Sequence, residues 1–301
     1  MIISEDKNIK ETLLKLIKEG SSPLLPLNTG LPSKITKLKD IKSIVFDVYG
    51  TLFISDAGDI SHSVKTEKEV KLNSILESSN FKILNPSAGI LAENLFFQTI
   101  KRLHKNSPRS NPEIDVLEVW RMALSELLRT KAVSGDLTNS NLSVLSLRYE
   151  LAKNPVWPML NLEELLSHLQ NLNLPMGIIS NAQFFTPLLF EAFLGKELDK
   201  SGFCNELLAF SYEHKTAKPS RVLFKFISDA LYEKFQITPG EVLYIGNDML
   251  NDIKPAVEIG FKTALFAGDR RSLRLRENLP ECNLTPDAVI TDLLQIYNII
   301  T

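Results

Sequence analysis

The chain has 301 residues, 44% of them hydrophobic and 23% charged, with a formal net charge of -2. This is ordinary soluble globular composition, long enough for a main domain with a smaller companion, and it offers no global attraction to nucleic acid or an anionic membrane surface, so neither is an expected partner. Two isolated cysteines, Cys204 and Cys282, make neither a disulfide framework nor a zinc site, no run reaches the roughly 18 apolar residues of a membrane span, and Met1 to Asp6 lacks the basic-then-apolar order of a secretory signal. The reducing cytoplasm is the expected compartment.

Ile9, Leu13, Leu14 and Ile17 recur at helical spacing over residues 5–19, and Gly20 opens a Ser/Pro-rich passage that runs to Pro32. The spacing predicts an amphipathic helix and a linker over residues 1–40. Docking on the main domain, covering a neighbour and belonging to the inserted part are all compatible with it.

Ser43-Ile44-Val45-Phe46 is a short continuous apolar run of the kind buried in a parallel sheet, and it stops at Asp47. An acid there sits at the carboxyl end of the strand, where open α/β sheets build their sites. From about Thr66 to Asn154 the pattern is helical with almost no strand signal, interrupted at Asn106-Ser107-Pro108 and Gly135-Asp136. A helical insertion over residues 57–156 is expected, with the main domain formed by 41–56 and 157–301. After Pro158 strand and helix alternate: a helix over 162–172, a strand at Met176 to Ile179, a helix over 185–194, a strand at Leu207 to Phe210, a helix over 221–235, a strand at Val242 to Ile245, a helix over 253–259 and a strand at Lys262 to Phe266. The expected fold class is α/β, a Rossmann-like doubly wound parallel sheet with an inserted helical cap.

Polar stations follow four of these strands: Asp47, then Ser180-Asn181, then Lys218-Pro219, then Gly246-Asn247-Asp248 with Asp252 four residues on. If the strands are neighbours, all four meet in one crevice. The ordered set Asp-x-x-Gly-Thr, Ser-Asn, Lys-Pro and Gly-Asn-Asp-x-x-x-Asp resembles the haloacid dehalogenase superfamily, a hydrolase group dominated by phosphatases, from Ser43 to Phe266.

The resemblance implies that Asp47 is a nucleophile forming a covalent ester that water hydrolyses. It implies Mg2+ held by Asp47, the Tyr49 carbonyl, Asp248 and Asp252, with Asp252 able instead to orient bound waters. Lys218 and Ser180 would stabilise charge, and Thr51, Ser180, Asn181 and Lys218 would bind the phosphoryl oxygens of a small phosphorylated substrate. The bland readings are a turn for Asp47, a helix cap for Ser180-Asn181, a solvated charge for Lys218, with Lys215 as a rival, and a helix-start acid for Asp252.

Tyr49 is a departure. Family phosphatases usually place an acid-base Asp two residues after the nucleophile, a group worth about 10²–10⁴ in rate. Phe46-Asp47-Val48-Tyr49-Gly50-Thr51-Leu52-Phe53 is instead similar to the first motif of the 2-haloacid dehalogenases, whose halide leaves without an acid and which need no metal. The paired carboxylates of the fourth motif favour Mg2+-dependent phosphate hydrolysis. Dehalogenation and a catalytically weak binding or regulatory module are the alternatives. Candidate specificity residues in the insertion are Arg102, His104, Arg109, Trp120 and Arg121. Arg270, Arg271, Arg274 and Arg276 form a basic cluster that reads as solvated helix charge, with Arg270 or Arg271 as a candidate anion lure at the crevice rim.

Overall fold

A computed structural model describes residues 7–55 and 71–300 of the chain. The expected starts of the first helix, before Lys7, and of the insertion, including Thr66 and Val70, lie outside the described residues.

The chain opens with helix α1 (Lys7–Gly20), followed by strand β1 (Ser43–Phe46) and the short β2 (Phe53–Ser55). The insertion then contributes α2 (Leu72–Glu77), β3 (Lys82–Ile83), α3 (Ala88–Asn106), α4 (Val116–Arg129), β4 (Val133–Ser134) and α5 (Asn139–Lys153). The return is made by β5 (Val156–Pro158), after which α6 (Leu162–Asn171), β6 (Met176–Ser180), α7 (Thr186–Leu194), β7 (Phe203–Phe210), α8 (Arg221–Phe235), β8 (Val242–Gly246), α9 (Lys254–Ile259), β9 (Lys262–Phe266) and β10 (Ala288–Ile290) complete the fold.

Six strands form one parallel sheet in the order β10-β9-β8-β1-β6-β7. Side chains along β1 alternate between its two faces: Ile44 and Phe46 join the larger apolar cluster, whereas Val45 packs with Ile179, Leu207, Tyr244 and Leu223 on the other side. Apolar cover on both faces makes this the Rossmann-like doubly wound sheet that the alternation of elements predicts. β10 is an addition to the strands that patterning predicts, and β7 begins four residues earlier than its apolar run.

The ends of the insertion are joined where β2 pairs antiparallel with β5, Phe53 opposite Pro158. Within the insertion, β3 and β4 form a two-residue ribbon beside the helices. Helix α1 packs on both α5 of the insertion and α7 of the sheet-bearing part, so two of the three placements its sequence allows are combined. Ile9, Leu13, Leu16 and Ile17 are buried in that seam, and Lys10 pairs with Glu191 at 2.7 Å and with Glu197.

A second seam lies closer to the strand ends. Arg109 donates to the carbonyls of His214 and Lys215 (2.8 Å for the latter) and to Thr216 Oγ1 at 2.6 Å. The Asn111 carbonyl accepts from the Ala217 amide, and Glu113 accepts from Ser211 and Gln183. The segment leading into α4 is therefore stitched to the loops after β6 and β7. No helix among the described residues is long and apolar enough to cross a membrane.

Candidate active site

β1 lies between β6 and β8, so the residues that end these three strands are neighbours. Asp47 follows the last residue of β1, its amide donating to the Ile245 carbonyl at 2.9 Å. The chain then folds back tightly, with the amides of Leu52 and Phe53 donating to the Val48 carbonyl. Gly50 makes this possible. It adopts a φ of +83°, and a Cβ there would fall 2.5 Å from both Asn247 Nδ2 and Ser272 Cβ, so the turn lies flush against the fourth motif.

Two of the other three polar stations touch Asp47, and the last is joined to it through a shared lysine. Ser180 Oγ donates to Asp47 Oδ1 at 2.9 Å, and Lys218 Nζ donates to the same oxygen at 2.7 Å. Lys218 also donates to Asp252 Oδ1 at 2.5 Å, which joins the first and fourth motifs through one ammonium group. Asn181 serves this arrangement indirectly: its Oδ1 accepts from the Lys218 amide at 2.7 Å and fixes the loop that delivers the lysine. The rival Lys215 enters the network through its carbonyl, held by Arg109, so Lys218 is the cation that reaches Asp47. Among the described residues no hydrogen bond reaches Asp47 Oδ2. Oδ1 is thus held by two donors, and Oδ2 is the less engaged oxygen of the pair.

The electrostatics follow from two carboxylates sharing one buried lysine. Burial pulls the Lys218 pKa down, but the charges of Asp252 and Asp47 outweigh it and hold the amine above its usual range. Burial pushes Asp252 up to about 7, with Lys218 opposing the shift and Asp47 adding to it. Tyr244, which no sequence motif singles out, donates to Asp252 Oδ1 at 3.0 Å. The other Asp252 oxygen accepts from the amides of Asn247 and Asp248.

Tyr49 is buried, and its hydroxyl shares a hydrogen bond with Thr186 Oγ1 at 2.9 Å. Burial, reinforced by the charge of Glu150, raises its pKa far beyond the usual phenol range. Two residues after Asp47, the chain therefore carries a buried phenol that keeps its proton and is held by a hydrogen bond. Thr51 is also buried and reaches Asn247 Oδ1 at 3.4 Å.

The donor set expected for Mg2+ is not assembled. Among the described residues, no three His, Cys, Asp or Glu side chains are placed to hold a metal ion. Both Asp252 oxygens are engaged as above. Asp248 is engaged by other partners: it caps the following turn through the Leu250 and Asn251 amides, and both its oxygens take hydrogen bonds from Arg276. The fourth-motif side chain that faces the Asp47 turn is the neutral Asn247. A hard divalent cation wants several free anionic oxygens in octahedral array, and these residues do not fit one.

The remaining candidates separate clearly. Trp120 is a core residue, tilted against Phe96 and edge-on to Tyr149. Arg121 ties the Leu137 carbonyl to Asn139 within the insertion, and Arg109 forms the seam described above. Arg102 is exposed, and among the described residues no hydrogen bond or ion pair joins it or His104 to the strand-end cluster. Arg271 pairs with Asp269 at 3.1 Å, and Arg270 is exposed. The basic cluster lies on an irregular loop, not a helix, and Arg276, rather than Arg270 or Arg271, is the member that reaches a carboxylate of the fourth motif.

A 2-haloacid dehalogenase from Pseudomonas syringae pv. Tomato DC3000 has a similar structure, with a TM-score of 0.55 and 18% identity over 85% of this chain and 96% of that one. An L-2-haloacid dehalogenase from Xanthobacter autotrophicus follows at 0.46 and 21%, covering 85% and 96%. A "predicted phosphoglycolate phosphatase" from Haemophilus somnus stands at 0.46 and 19%, covering 86% and 97%. At these identities the likeness is one of fold. No curated protein matches the chain in sequence. Residues 41–260 match the family described as haloacid dehalogenase-like hydrolase, and with its doubly wound parallel sheet the chain belongs to that family.

Proposed function

We propose that the protein hydrolyses a small organic substrate through an ester formed on Asp47, at a carbon whose leaving group departs unprotonated. The observation that carries this reading is the Tyr49–Thr186 hydrogen bond at 2.9 Å, which ties up the group standing where a leaving-group acid would be needed. Asp47 Oδ2 attacks the carbon, and the electrons of the broken bond leave with the departing anion. Water then attacks the Asp47 carboxyl carbon. One of its protons ends on the product hydroxyl and the other in solvent, and the carboxylate is regenerated. Lys218 and Ser180 hold Asp47 oriented and stabilise the oxyanion formed during ester hydrolysis. The insertion, stitched to the loops beside Asn181 and Lys218, is assigned the role of a specificity cap. Free Cys204 and Cys282 accord with a cytoplasmic setting.

A second reading, Mg2+-dependent hydrolysis of a small phosphate ester, rests on Asp248 and Asp252 lying on a single turn at the end of β8, next to β1, and requires a metal to displace Arg276 and Lys218 from them. Incubation with 2-chloropropionate and with an aryl phosphate, each with Mg2+ and with chelator, separates the two. Halide release that survives chelation and requires Asp47 supports the first reading. Phosphate release that requires added Mg2+ replaces it with the second. A family member retained as a binding module would give neither product.

A further inference from the structure

Asp248 meets a cation that the chain itself supplies. Arg276 approaches it with two nitrogens, Nε at 3.2 Å from Oδ1 and Nη2 at 2.7 Å from Oδ2, the forked geometry in which a guanidinium matches a carboxylate. The remaining acceptor capacity of Asp248 is used by the Leu250 and Asn251 amides and the Asn251 side-chain amide.

The loop that carries Arg276 is built onto the fourth motif. The Arg274 amide donates to the Asn247 carbonyl at 3.0 Å, and the Met249 amide returns a bond to the Arg274 carbonyl at 2.9 Å. Two residues later Arg276 itself takes a φ of +57°, a left-handed backbone uncommon for a side chain of this size. That conformation belongs to the loop from which its guanidinium reaches Asp248. Arg274 adds a second positive charge: it is half-buried, donates to the carbonyls of Arg271 and Leu273, and lies within the field of both Arg276 and Asp248. A divalent cation approaching Asp248 would have to displace one guanidinium and sit beside another. Mg2+ also gives up its water shell reluctantly.

We infer that Arg276 takes the place of a divalent cation at the fourth motif, so that the Asp47 site works without bound metal. The consequence for catalysis rests on the reading of Asp47 as nucleophile, but the assignment of Arg276 concerns binding and is measured without turnover. The experiment is calorimetric titration of the full-length protein with Mg2+ and, in parallel, water-proton relaxation with Mn2+. The wild-type protein is expected to show no saturable binding with millimolar metal. Arg276→Ala, or Arg276→Met should the alanine variant fold poorly, is expected to bind metal at least about tenfold more tightly. Adding Asp248→Asn to either variant should remove that gain. Saturable binding by the wild-type protein overturns the inference, as does a folded Arg276 variant that gains nothing. Absence of turnover on every substrate offered would count against the proposed function and leave the binding result standing.

Discussion

The hydroxyl of Tyr49, two residues after Asp47, lies buried 2.9 Å from Thr186 Oγ1. Because the phenol is spoken for and its pKa is driven upward by burial, it has no proton to trade near neutral pH. Tyr49→Phe should therefore leave turnover within a few-fold of wild type. Stability should fall by about 1 kcal/mol, the usual net worth of such a bond, as Thr186 loses a partner. Steady-state kinetics on the active substrate checks this, and a hundredfold loss in kcat would restore Tyr49 to the chemistry.

Lys218 is 6% exposed and holds two carboxylates at once. Lys218→Met keeps most of the side-chain volume but strands Asp47 and Asp252 without their cation. Breaking a buried pair in this way costs about 3–5 kcal/mol, so a marked loss of stability in urea unfolding is expected together with loss of turnover. A variant as stable as wild type would mean that the ammonium contributes nothing to the ground-state balance.

Asp47→Asn removes the proposed nucleophile and one of the two like charges that share Lys218. Turnover should fall by about three orders of magnitude or more. Thermal stability should stay level or rise, because repulsion between Asp47 and Asp252 is relieved while Lys218 keeps its stronger partner. In single-turnover reactions in ¹⁸O-labelled water, the label should enter Asp47 and be found in its peptide by mass spectrometry. Label confined to the product would exclude an Asp47 ester.

The site on which these expectations rest is partly legible in the sequence. Asp47, Ser180 and Asp252 stand out because each lies at or just beyond the end of an apolar run, and parallel strands bring such ends together. Lys218 is legible through its Lys-Pro pairing ahead of a helix. The role of Arg276 is not, since it lies 28 residues from Asp248 on an irregular loop with no periodicity to place it. The direction of Asp248 is hidden for a related reason. Successive residues at a strand end point to opposite sides, and whether Asn247 or Asp248 faces the nucleophile depends on how the turn leaves the sheet. β10 escapes patterning because Ala288-Val289-Ile290 is too short to stand out from its polar flanks. The antiparallel pairing of β2 with β5 joins segments far apart in the chain, which local patterning cannot connect.

Helix α1 lies outside the residues that match the family, yet it fills the seam between α5 and α7. Leu13 is fully buried there. Leu13→Ala should cost about 2–5 kcal/mol, the range for removing a buried leucine side chain. If the helix also holds the insertion in place, limited proteolysis should cut the insertion sooner in this variant than in wild type. Unchanged stability would show that α1 rests on the surface without supporting it.

The pH dependence of stability follows from Asp252. In the unfolded chain its carboxyl titrates near 3.8, whereas in the folded protein burial holds the proton up to about 7. Between those values the folded state binds more protons than the unfolded state, so the contribution is fully present below the unfolded pKa and is lost as pH rises through the folded one. The difference in unfolding free energy between wild type and Asp252→Asn should therefore decline from about pH 4 to about pH 7, by no more than about 1.4 kcal/mol per pH unit, and then level off. Urea denaturation of both proteins at half-unit pH steps measures it. Asp47→Asn should bring the upper edge of this window to lower pH and leave its lower edge in place, since the Asp47 charge is one of the influences that raise Asp252 in the folded state. Parallel stability curves for wild type and Asp252→Asn across this range would mean that Asp252 is ionised throughout, with Lys218 prevailing over burial at the centre of the site.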